Sequence, residues 1–470
     1  MPTLFSGINL ALRALLAHQQ SQLVTNHNIA NANTPGYTRQ EAVLAPERPY
    51  TLPAFNRAEM ALQLGQGVLV SSVRRFTLDF FDDRLRKETA AASDWGERAS
   101  TLQQVESLLP EAGGAGLSAR LDSFWSAWQS LSGDPADMGL RATVINAADR
   151  LAAMIRDRAS ALNATRRDEN ALVTSLVGEV NNKAANIARL NKQILSAVGA
   201  GDNPNDLLDQ RDILLDNLAK LTGSTVNFQS NGDALVSIGG HILAAAGESQ
   251  TLTAADTNGD GLADLSWSAD NLPASIPSGR IGGALKARDT DIPARLTALD
   301  SLASALVTQV NAVHTTAFGL PPANVTGQNF FTGTNALTLA VNPTLAADPT
   351  QLGAAASANS PGDGSKALAA AQIANALVMS GGTRTLNNFW ADTISQLGLD
   401  AQRAADEESA RGLVRDALGK QKQSVAGVSL DEEAARLVQS QRAYEAAARV
   451  LTAFDEMADT IINRMGVVGR

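Results

Sequence analysis

The first thirty residues carry an amphipathic pattern. Between residues 4 and 30, apolar side chains recur at spacings of three and four, at Ile8, Leu12, Leu15, Leu16 and Leu23. This spacing predicts one long helix with a single apolar face. An Asn-rich stretch follows and ends in Thr34-Pro35-Gly36-Tyr37. Since proline keeps the residue before it out of helical geometry and glycine accepts a positive φ, Pro35 and Gly36 predict a type II turn.

The C-terminal end mirrors this pattern. Ser429 and Glu432 have the spacing of a capping box, which predicts the start of a helix. Beyond it an apolar residue returns every seven positions, at Leu430, Leu437, Tyr444 and Leu451. The seam is predicted to continue through Ile461 and to include, four residues after the first three, Ala434, Gln441 and Ala448. Because such helices are marginal alone, residues 1–60 with 425–470 are predicted to form a terminal coiled-coil domain that is disordered in the monomer.

The middle of the chain has helical periodicity over long distances. An unbroken helix is predicted over 134–199, starting at Asp134 as N-cap with Pro135 at the first helical position. Further helices are predicted over 77–109, 117–132, 205–221, 290–317, 366–379 and 385–422. Together, 61–222 with 284–424 predict a helical rod domain that contains an irregular segment with short strands over 319–364. A helix as long as 134–199 does not fit inside a spherical domain, so the predicted shape is an elongated multi-domain rod.

Residues 223–283 follow a different pattern. Short β-like runs alternate with turns rich in Gly, Asn and Asp, which predicts a small β-rich outer domain. The fold class predicted from the whole pattern is mainly α with an inserted β domain, in which a long helical bundle domain and terminal coiled-coil helices form the rod.

Composition narrows the range of functions. The net charge of -10 argues against a nucleic-acid binder, because such a protein needs a concentrated basic face. The chain has no cysteine and four scattered histidines, which excludes thiolate chemistry and makes a multi-histidine zinc site improbable. No apolar run reaches the roughly 20 residues that span a bilayer, and the first residues lack the basic region of a signal peptide. These features argue against a membrane-spanning protein and leave the cellular compartment open.

One string has the spacing of a metal site. Oxygen-bearing side chains at loop positions 1, 3, 5 and 9, with glycine at position 6, match a calcium loop through Asp256, Asn258, Asp260 and Asp264. The twelfth position is Trp267 instead of glutamate, so an EF-hand is not expected. Two interpretations stay open, a weak calcium site and a polar hairpin tip, and no other cofactor is expected. The chain has neither a Gly-x-Ser-x-Gly nor a His-Glu-x-x-His motif, so no enzyme is expected.

Both ends carry a specific resemblance. Residues 30–37 read Ala-Asn-Ala-Asn-Thr-Pro-Gly-Tyr, and 429–437 read Ser-Leu-Asp-Glu-Glu-Ala-Ala-Arg-Leu. These segments resemble the terminal signatures of the bacterial flagellar rod, hook and hook-associated axial proteins, and the C-terminal one looks like the hook-associated branch. The interior segments 206–212 and 327–331 agree with that branch.

The resemblance implies a secreted, non-enzymatic structural protein of the extracellular flagellum that polymerises at the hook tip and connects hook to filament. In that family, terminal helices form the inner layer of a tubular assembly and subunits are exported without a cleaved signal. The implied partners are the hook protein, a filament-side junction protein, further copies of the chain and an export chaperone. The expected assembly interface combines both apolar stripes with the turn, at Ile8, Leu12, Leu15, Leu23, Asn31, Asn33, Thr34, Pro35, Gly36, Tyr37, Leu437, Tyr444, Leu451 and Ile461.

Three other hypotheses stay open. The first is another axial protein, such as hook or distal rod. The second is an exported wall-cutting enzyme on an axial scaffold, which would need a carboxylate pair in a cleft. The third is a calcium-dependent surface protein, which would use the loop at 256–264.

Overall fold

The computed structural model describes residues 4–49, 65–111, 114 and 116–461. Within these ranges the chain is mainly helical. In chain order the helices are α1 (Leu4–Ala30), α2 (Asp79–Leu108), α3 (Leu117–Gly133), α4 (Met138–Gly199), α5 (Asn205–Thr222), α6 (Gly279–Lys286), α7 (Ile292–His314), α8 (Pro343–Ala347), α9 (Ser365–Gln372), α10 (Leu386–Ala426) and α11 (Leu430–Asp459).

The strands form small antiparallel sheets. A hairpin joins β1 (Gln40–Pro46) to β2 (Val68–Arg75), and a four-stranded sheet keeps chain order through β3 (Thr225–Phe228), β4 (Ala234–Ile238), β5 (His241–Ala245) and β6 (Glu248–Ser249). Two further pairs are β7 (Leu252–Ala255) with β8 (Asp264–Trp267), and β9 (Phe331–Thr332) with β10 (Ala340–Val341). The predicted fold class, mainly α with inserted strands, is confirmed.

The unbroken central helix is confirmed as α4, which has 62 residues, but its predicted start is wrong. The helix begins at Met138, and residues 134–137 form a turn closed by a hydrogen bond from the Asp137 N–H to the Asp134 carbonyl, 3.3 Å. The capping oxygen comes from Asp137, whose Oδ1 accepts the N–H groups of Gly139 and Leu140 at 2.6 and 3.0 Å. Asp137 therefore satisfies the free donors of the first turn, the role that the sequence pattern assigned to Asp134.

A second difference lies before the predicted helix 290–317. The helical segment starts earlier, with α6, continues through a π-helical turn over 287–291, and ends with α7 at His314. The glycines of α6 weaken the helical pattern, because glycine has a low helix propensity. At Gly283 the absence of a side chain is required by packing, since a Cβ would lie 2.4 Å from the Asp94 carbonyl oxygen of α2. The predicted helix 366–379 also ends early, at Gln372, before a 3₁₀ turn over 373–375.

The chain divides into two compact units. The first unit comprises residues 1–89, 180–251 and 413–470, and the second comprises 90–179 and 252–412. The predicted terminal segments 1–60 and 425–470 belong to the first unit. The predicted β-rich segment 223–283 contributes β3 to β6 to the first unit, and β7 with β8 to the second. The three-domain division predicted from the sequence follows other boundaries and stays a prediction.

Each unit has its own apolar core. In the second unit, large side chains from α3, α7, β9 and the residue before β9 are fully buried, with Phe124, Trp128, Leu302, Phe330 and Phe331 among them. In the first unit, α4 and α5 bury Ile194, Leu215 and Leu218, and β4 buries Val236. In the described part of the chain, no helix is both long and apolar enough to cross a membrane.

Candidate assembly site

The terminal helices α1 and α11 pack against each other in an antiparallel arrangement. Gly7 lies against the ring of Phe454 near one end of the pair, and the side chain of Asn28 bonds to Glu433 near the other. A Cβ at position 7 would lie 2.4 Å from the Phe454 ring, so the approach at that end requires glycine. The two ends of the chain thus pair with each other within the first unit.

The seam between these helices consists mainly of small and polar residues. Positions of α1 at alternating spacings of four and three are buried or half-buried, at Gly7, Ala11, Ala14, His18, Ser21, Thr25 and Asn28. The inward positions of α11 follow the same spacing, at Glu433, Leu437, Ser440, Tyr444, Ala447, Leu451 and Phe454. The seam positions predicted at Ala434 and Gln441 are wrong, because both residues are exposed. The seam residues next to Leu437, Tyr444 and Leu451 lie four positions before and three positions after each of them, at Glu433, Ser440, Ala447 and Phe454.

Large apolar side chains of α1 stay outside this seam. Leu12, Leu16 and Leu23 are 43%, 53% and 63% exposed, and their spacing of four and seven places them on one face of the helix. We call these three residues the leucine stripe. Of the other predicted interface residues, Ile8, Leu15, Leu437, Tyr444 and Leu451 are half-buried, and Ile461 is 49% exposed. Pairing with α11 therefore leaves much of the apolar face of α1 uncovered.

The predicted type II turn is present after α1. The Tyr37 N–H donates to the Thr34 carbonyl at 3.2 Å, and Gly36 has φ +77° at the position that needs it. The Thr34 hydroxyl donates to Asn31 Oδ1 at 3.1 Å, which fixes the turn to the end of the helix. Asn33 and the residues 34–36 are exposed, whereas Asn31 and Tyr37 are half-buried. The turn thus presents a polar surface and directs the chain back along α1 into β1.

A buried asparagine ties this turn to both terminal helices. Asn28 is 1% exposed, and its Nδ2 donates to the Gln40 carbonyl at 2.8 Å and to Glu433 Oε2 at 2.9 Å. Its Oδ1 accepts the Tyr37 hydroxyl at 2.8 Å and the Gln40 N–H at 3.0 Å. Because an amide side chain offers two donors and two acceptors, every position of Asn28 is used. One side chain therefore links α1, the turn, β1 and α11.

Glu433 is the matching buried carboxylate of α11. It is 1% exposed, and its Oε1 accepts Arg39 Nε at 2.8 Å while its Oε2 accepts Asn28. The Arg39 guanidinium also lies 3.1 Å from Glu432 and 5.2 Å from the centre of the Phe76 ring. A buried carboxylate is stable only where cations and donors surround it, so this arrangement specifies the register of α11.

Helix α5 supplies carboxylates that bind residues 38–40 and the end of β2. Asp209, which is 5% exposed, accepts the Thr38 N–H on Oδ2 at 3.0 Å and Arg75 Nη1 on Oδ1 at 2.6 Å. Asp206 accepts Gln40 Nε2 at 2.9 Å, and Asp212 accepts Arg75 Nη1 at 2.9 Å. These aspartates recur every three residues, which places them along one side of the helix. The start of β1 and the end of β2 are both anchored to that side.

Burial and charge shift the pKa values at this site. Burial, followed by the carboxylates of Asp206, Asp209 and Glu433, raises the pKa of the Tyr37 hydroxyl, which keeps it a neutral donor. Burial also raises the pKa of the Asp209 carboxyl, and its bonds from Thr38 and Arg75 offset only part of that effect. Burial lowers the pKa of the Arg75 guanidinium, but the carboxylates of Asp212 and Asp209 outweigh it and raise the value.

Several residues of this network were not predicted from the sequence as site residues. Asn28, Arg39, Gln40 and Arg75 have no motif of their own. Glu433 lies in the segment 429–437 that carries the resemblance, but it fits equally well as a favourable charge in the first turn of a helix. The segment 206–212 was recognised only through its resemblance. A buried polar cluster has no periodic signal, and these residues meet only because the fold brings distant segments together.

The calcium-like string forms the tip between β7 and β8. Both carboxylate oxygens of Asp256 accept backbone N–H groups, from Gly259 at 2.7 Å and Gly261 at 2.9 Å, and these bonds lower the pKa of the Asp256 carboxyl. Asn258 and Asp260 likewise accept N–H groups of their own loop, and Asp264 accepts from Thr257. Among the residues that the structure describes, no three His, Asp or Glu side chains are placed to hold a metal ion. Calcium binding here stays a prediction.

Family models match most of the chain. The model described as the flagellar hook-associated protein FlgK helical domain matches residues 102–331. A model for flagella basal body rod proteins matches residues 8–38, and one for the C-terminal part of the rod proteins FlgEFG matches residues 422–465. The rod models are thus confined to the two ends, and the interior match is to the hook-associated branch.

Proteins named flagellar hook-associated protein 1 match large parts of this chain. The flagellar hook-associated protein 1 of Bacillus subtilis is 30% identical over 509 aligned positions that cover 100% of both chains. The protein of the same name from Salmonella typhimurium is 32% identical over 67% of this chain and 57% of its own length. A solved structure, the flagellar hook junction protein FlgK from Burkholderia pseudomallei, has the same fold with a TM-score of 0.64 at 16% identity, covering 73% of this chain and 100% of that one. This chain therefore belongs to the family of flagellar hook-associated protein 1.

Proposed function

We propose that the chain is a structural junction protein of the bacterial flagellum, which polymerises at the hook tip and connects hook to filament. Family membership supports this role, since the full-length relatives carry the name hook-associated protein 1. The single observation that carries the mechanism is the leucine stripe, which α11 does not cover. Burial of apolar surface drives association in water, so an uncovered stripe favours contact with further subunits.

The proposal extends to location and partners. The chain is exported from the cell and acts in the extracellular flagellum. There it contacts further copies of itself, the hook protein and a filament-side junction protein, and an export chaperone accompanies it before export. The turn residues Asn33 to Gly36 complete the assembly interface, because they are exposed beside α1.

The leucine stripe can be tested by charge substitution. Leu12→Asp with Leu16→Asp places two charges on a surface that the proposal buries, and it leaves the intramolecular seam unchanged. In a strain without its own copy of the gene, we expect this variant to fold and to be exported, but to leave hooks without filaments. Electron microscopy with gold-labelled antibody would show no label at the tips of these hooks.

A matched control separates this effect from general surface damage. Leu399 on α10 is 63% exposed, the same fraction as Leu23. Leu399→Asp is expected to incorporate normally, whereas Leu23→Asp is expected to fail. Normal filaments in the strain that carries the Leu12 and Leu16 variant would refute the role of the stripe.

A further inference from the structure

A groove in the first unit lies between α2, α5 and α10. It has a volume of about 450 Å³, and its lining includes Arg86, Asp216, Arg415, Gly419 and Lys420. We call it the α10 groove. None of its lining residues belongs to α1, to α11 or to the turn between α1 and β1. The groove is therefore a candidate site separate from the terminal helix pair.

Gly419 opens this groove inside a long helix. Apart from proline, glycine is the residue least favourable to the interior of a helix, and α10 has 41 residues. A Cβ at position 419 would meet no atom of the described residues within 4 Å, so packing within the described chain does not call for glycine there. The missing side chain leaves space beside Arg86 and Lys420, which favours the close approach of another backbone.

The α10 groove is net positive, although the chain as a whole has a net charge of -10. Its charged lining residues are two carboxylates and three cations, namely Asp216, Asp416, Arg86, Arg415 and Lys420. Arg86, whose side chain is 5% exposed, donates from Nε to Asp216 at 2.6 Å, and Arg415 pairs with Asp416 at 2.8 Å. Lys420 is exposed and adds the surplus charge. The groove therefore suits an anionic partner.

The tip between β7 and β8 carries the opposite charge. Residues 256–261 are all exposed, and the stretch 256–264 has three aspartates and neither lysine nor arginine. We call 256–261 the Asp loop. Its side chains accept N–H groups of the loop itself. At its base the Ala263 N–H donates to Asn170 Oδ1 of α4 at 2.8 Å, and the Ala263 carbonyl accepts Arg288 Nη1 at 2.8 Å. Because a pre-ordered loop loses little conformational entropy on binding, the Asp loop is suited to insertion.

We propose that the Asp loop of one copy docks in the α10 groove of a second copy. Asp260 then pairs with Lys420, and the small residues of the loop fill the space that Gly419 leaves. Since the loop and the groove are different surfaces, each copy uses both at once, and such head-to-tail contacts extend from copy to copy. The inference rests on the proposed function, because it names a contact through which the copies assemble. It also gives the calcium-like string a role that needs no metal ion.

Disulfide cross-linking in purified flagella tests this contact, because the chain has no cysteine of its own. The variant with Asn258→Cys and Thr89→Cys carries one cysteine in the Asp loop and one in the lining of the groove. After mild oxidation we expect a ladder of dimers, trimers and larger multimers on a non-reducing gel. Each single-cysteine variant is a control and forms dimers at most. If the chain is present in the flagella without a ladder, or the cross-link joins two cysteines of one monomer, the inference is wrong.

Charge exchange tests the same contact without cysteine. Asp260→Lys and Lys420→Asp each bring like charges together, so the amount of either variant in purified flagella should fall on the order of tenfold. The two changes combined restore the attraction and should recover most of that loss. A double variant that incorporates no better than the single variants would show that these positions do not meet. This comparison decides the matter if the double-cysteine variant does not incorporate.

Filling the groove has a matched control in the same helix. Gly419→Leu should block docking and lower the amount of chain in the flagella. Gly398→Leu should not, although a Cβ at that position also meets no atom of the described residues within 4 Å. Both changes favour the helix, so neither is expected to disturb folding. Equal incorporation of the two variants would contradict the docking site. Absence of the unaltered chain from the hook–filament boundary would instead overturn the proposed function, so the two failures stay distinguishable.

Discussion

The core of the second unit and the seam of the terminal helices are held by opposite kinds of side chain. In the core, the ring of Phe330 lies 4.8 to 5.9 Å from those of Phe331, Trp128, His314 and Phe124. In the seam, the most buried contacts join Asn28, Arg39 and Glu433. Large apolar surfaces stabilise whichever neighbours they meet, whereas a buried charge is stable only with its matched donors. The core is therefore built for stability, and the seam for one register.

The largest effect is expected in the core. Phe330→Ala removes the ring at the centre of the aromatic cluster and should lower the free energy of unfolding of the second unit by about 3–5 kcal/mol. All five tryptophans of the chain lie in the second unit, at Trp95, Trp125, Trp128, Trp267 and Trp390. Tryptophan fluorescence during urea denaturation therefore follows that unit, and the midpoint should move to lower urea.

The control for this experiment lies in the leucine stripe. Leu23→Ala removes an exposed side chain, so its effect on the tryptophan transition should stay within about 0.5 kcal/mol. An equal shift for the two variants would contradict the role of the Phe330 aromatic cluster in the stability of the second unit.

A smaller effect is expected at the turn beside the seam. Gly36→Ala places a Cβ at φ +77°, which costs about 1–2 kcal/mol, and that Cβ would also lie 2.4 Å from Ile213 of α5. Hydrogen exchange at 31–40 should report a weaker turn. Ile213→Ala in the same chain should recover only the part that comes from the clash.

Gly201 separates the two causes. It has φ +90°, and a Cβ there would meet no atom within 4 Å. Gly201→Ala should therefore show the backbone strain alone, measured in its own loop. If Gly36→Ala weakens its turn no more than Gly201→Ala weakens its loop, the contact with Ile213 has no role in seating the turn on α5.

The same contrast explains what could be predicted from the sequence. Helices such as α4 and α5 were located because their buried residues are large and apolar and recur with a helical period. The turn was located because proline and glycine act on the backbone locally. Asn28, Asp209 and Glu433 gave no such signal, because their role depends on segments that are far apart in the chain.

The seam register shows the limit of apolar periodicity. The heptad of Leu437, Tyr444 and Leu451 was found, but Gln441 was expected inside the seam and Ala447 was not. Where a helix contact consists of small and polar residues, the large apolar positions mark another surface, as Leu12 and Leu23 do on α1. Part of the hydrophobic pattern thus describes the exposed surface that we propose to bind further subunits.

The smallest effect, and the one with a pH signature, concerns a polar group in the second unit. Glu169 of α4 is 7% exposed, its Oε1 accepts the Thr101 hydroxyl at 2.7 Å, and its other oxygen has no hydrogen-bond partner within the described residues. Burial raises the pKa of this carboxyl above 4.5, so the folded chain binds the proton more tightly than the unfolded chain. Stability is therefore lost as pH rises from the unfolded pKa through the folded one.

Glu169→Gln should remove this loss. The variant and the unaltered chain should unfold alike near pH 4, and the variant should become more stable by about 1 kcal/mol as pH rises towards 7. Tryptophan fluorescence in urea at several pH values measures the difference, and the exposed Glu106→Gln on α2 serves as the control. If the difference in unfolding free energy between the variant and the unaltered chain does not change with pH, the amide acts through its shape alone. If that difference grows as pH rises, this core, unlike the seam, gains stability when a buried charge is removed.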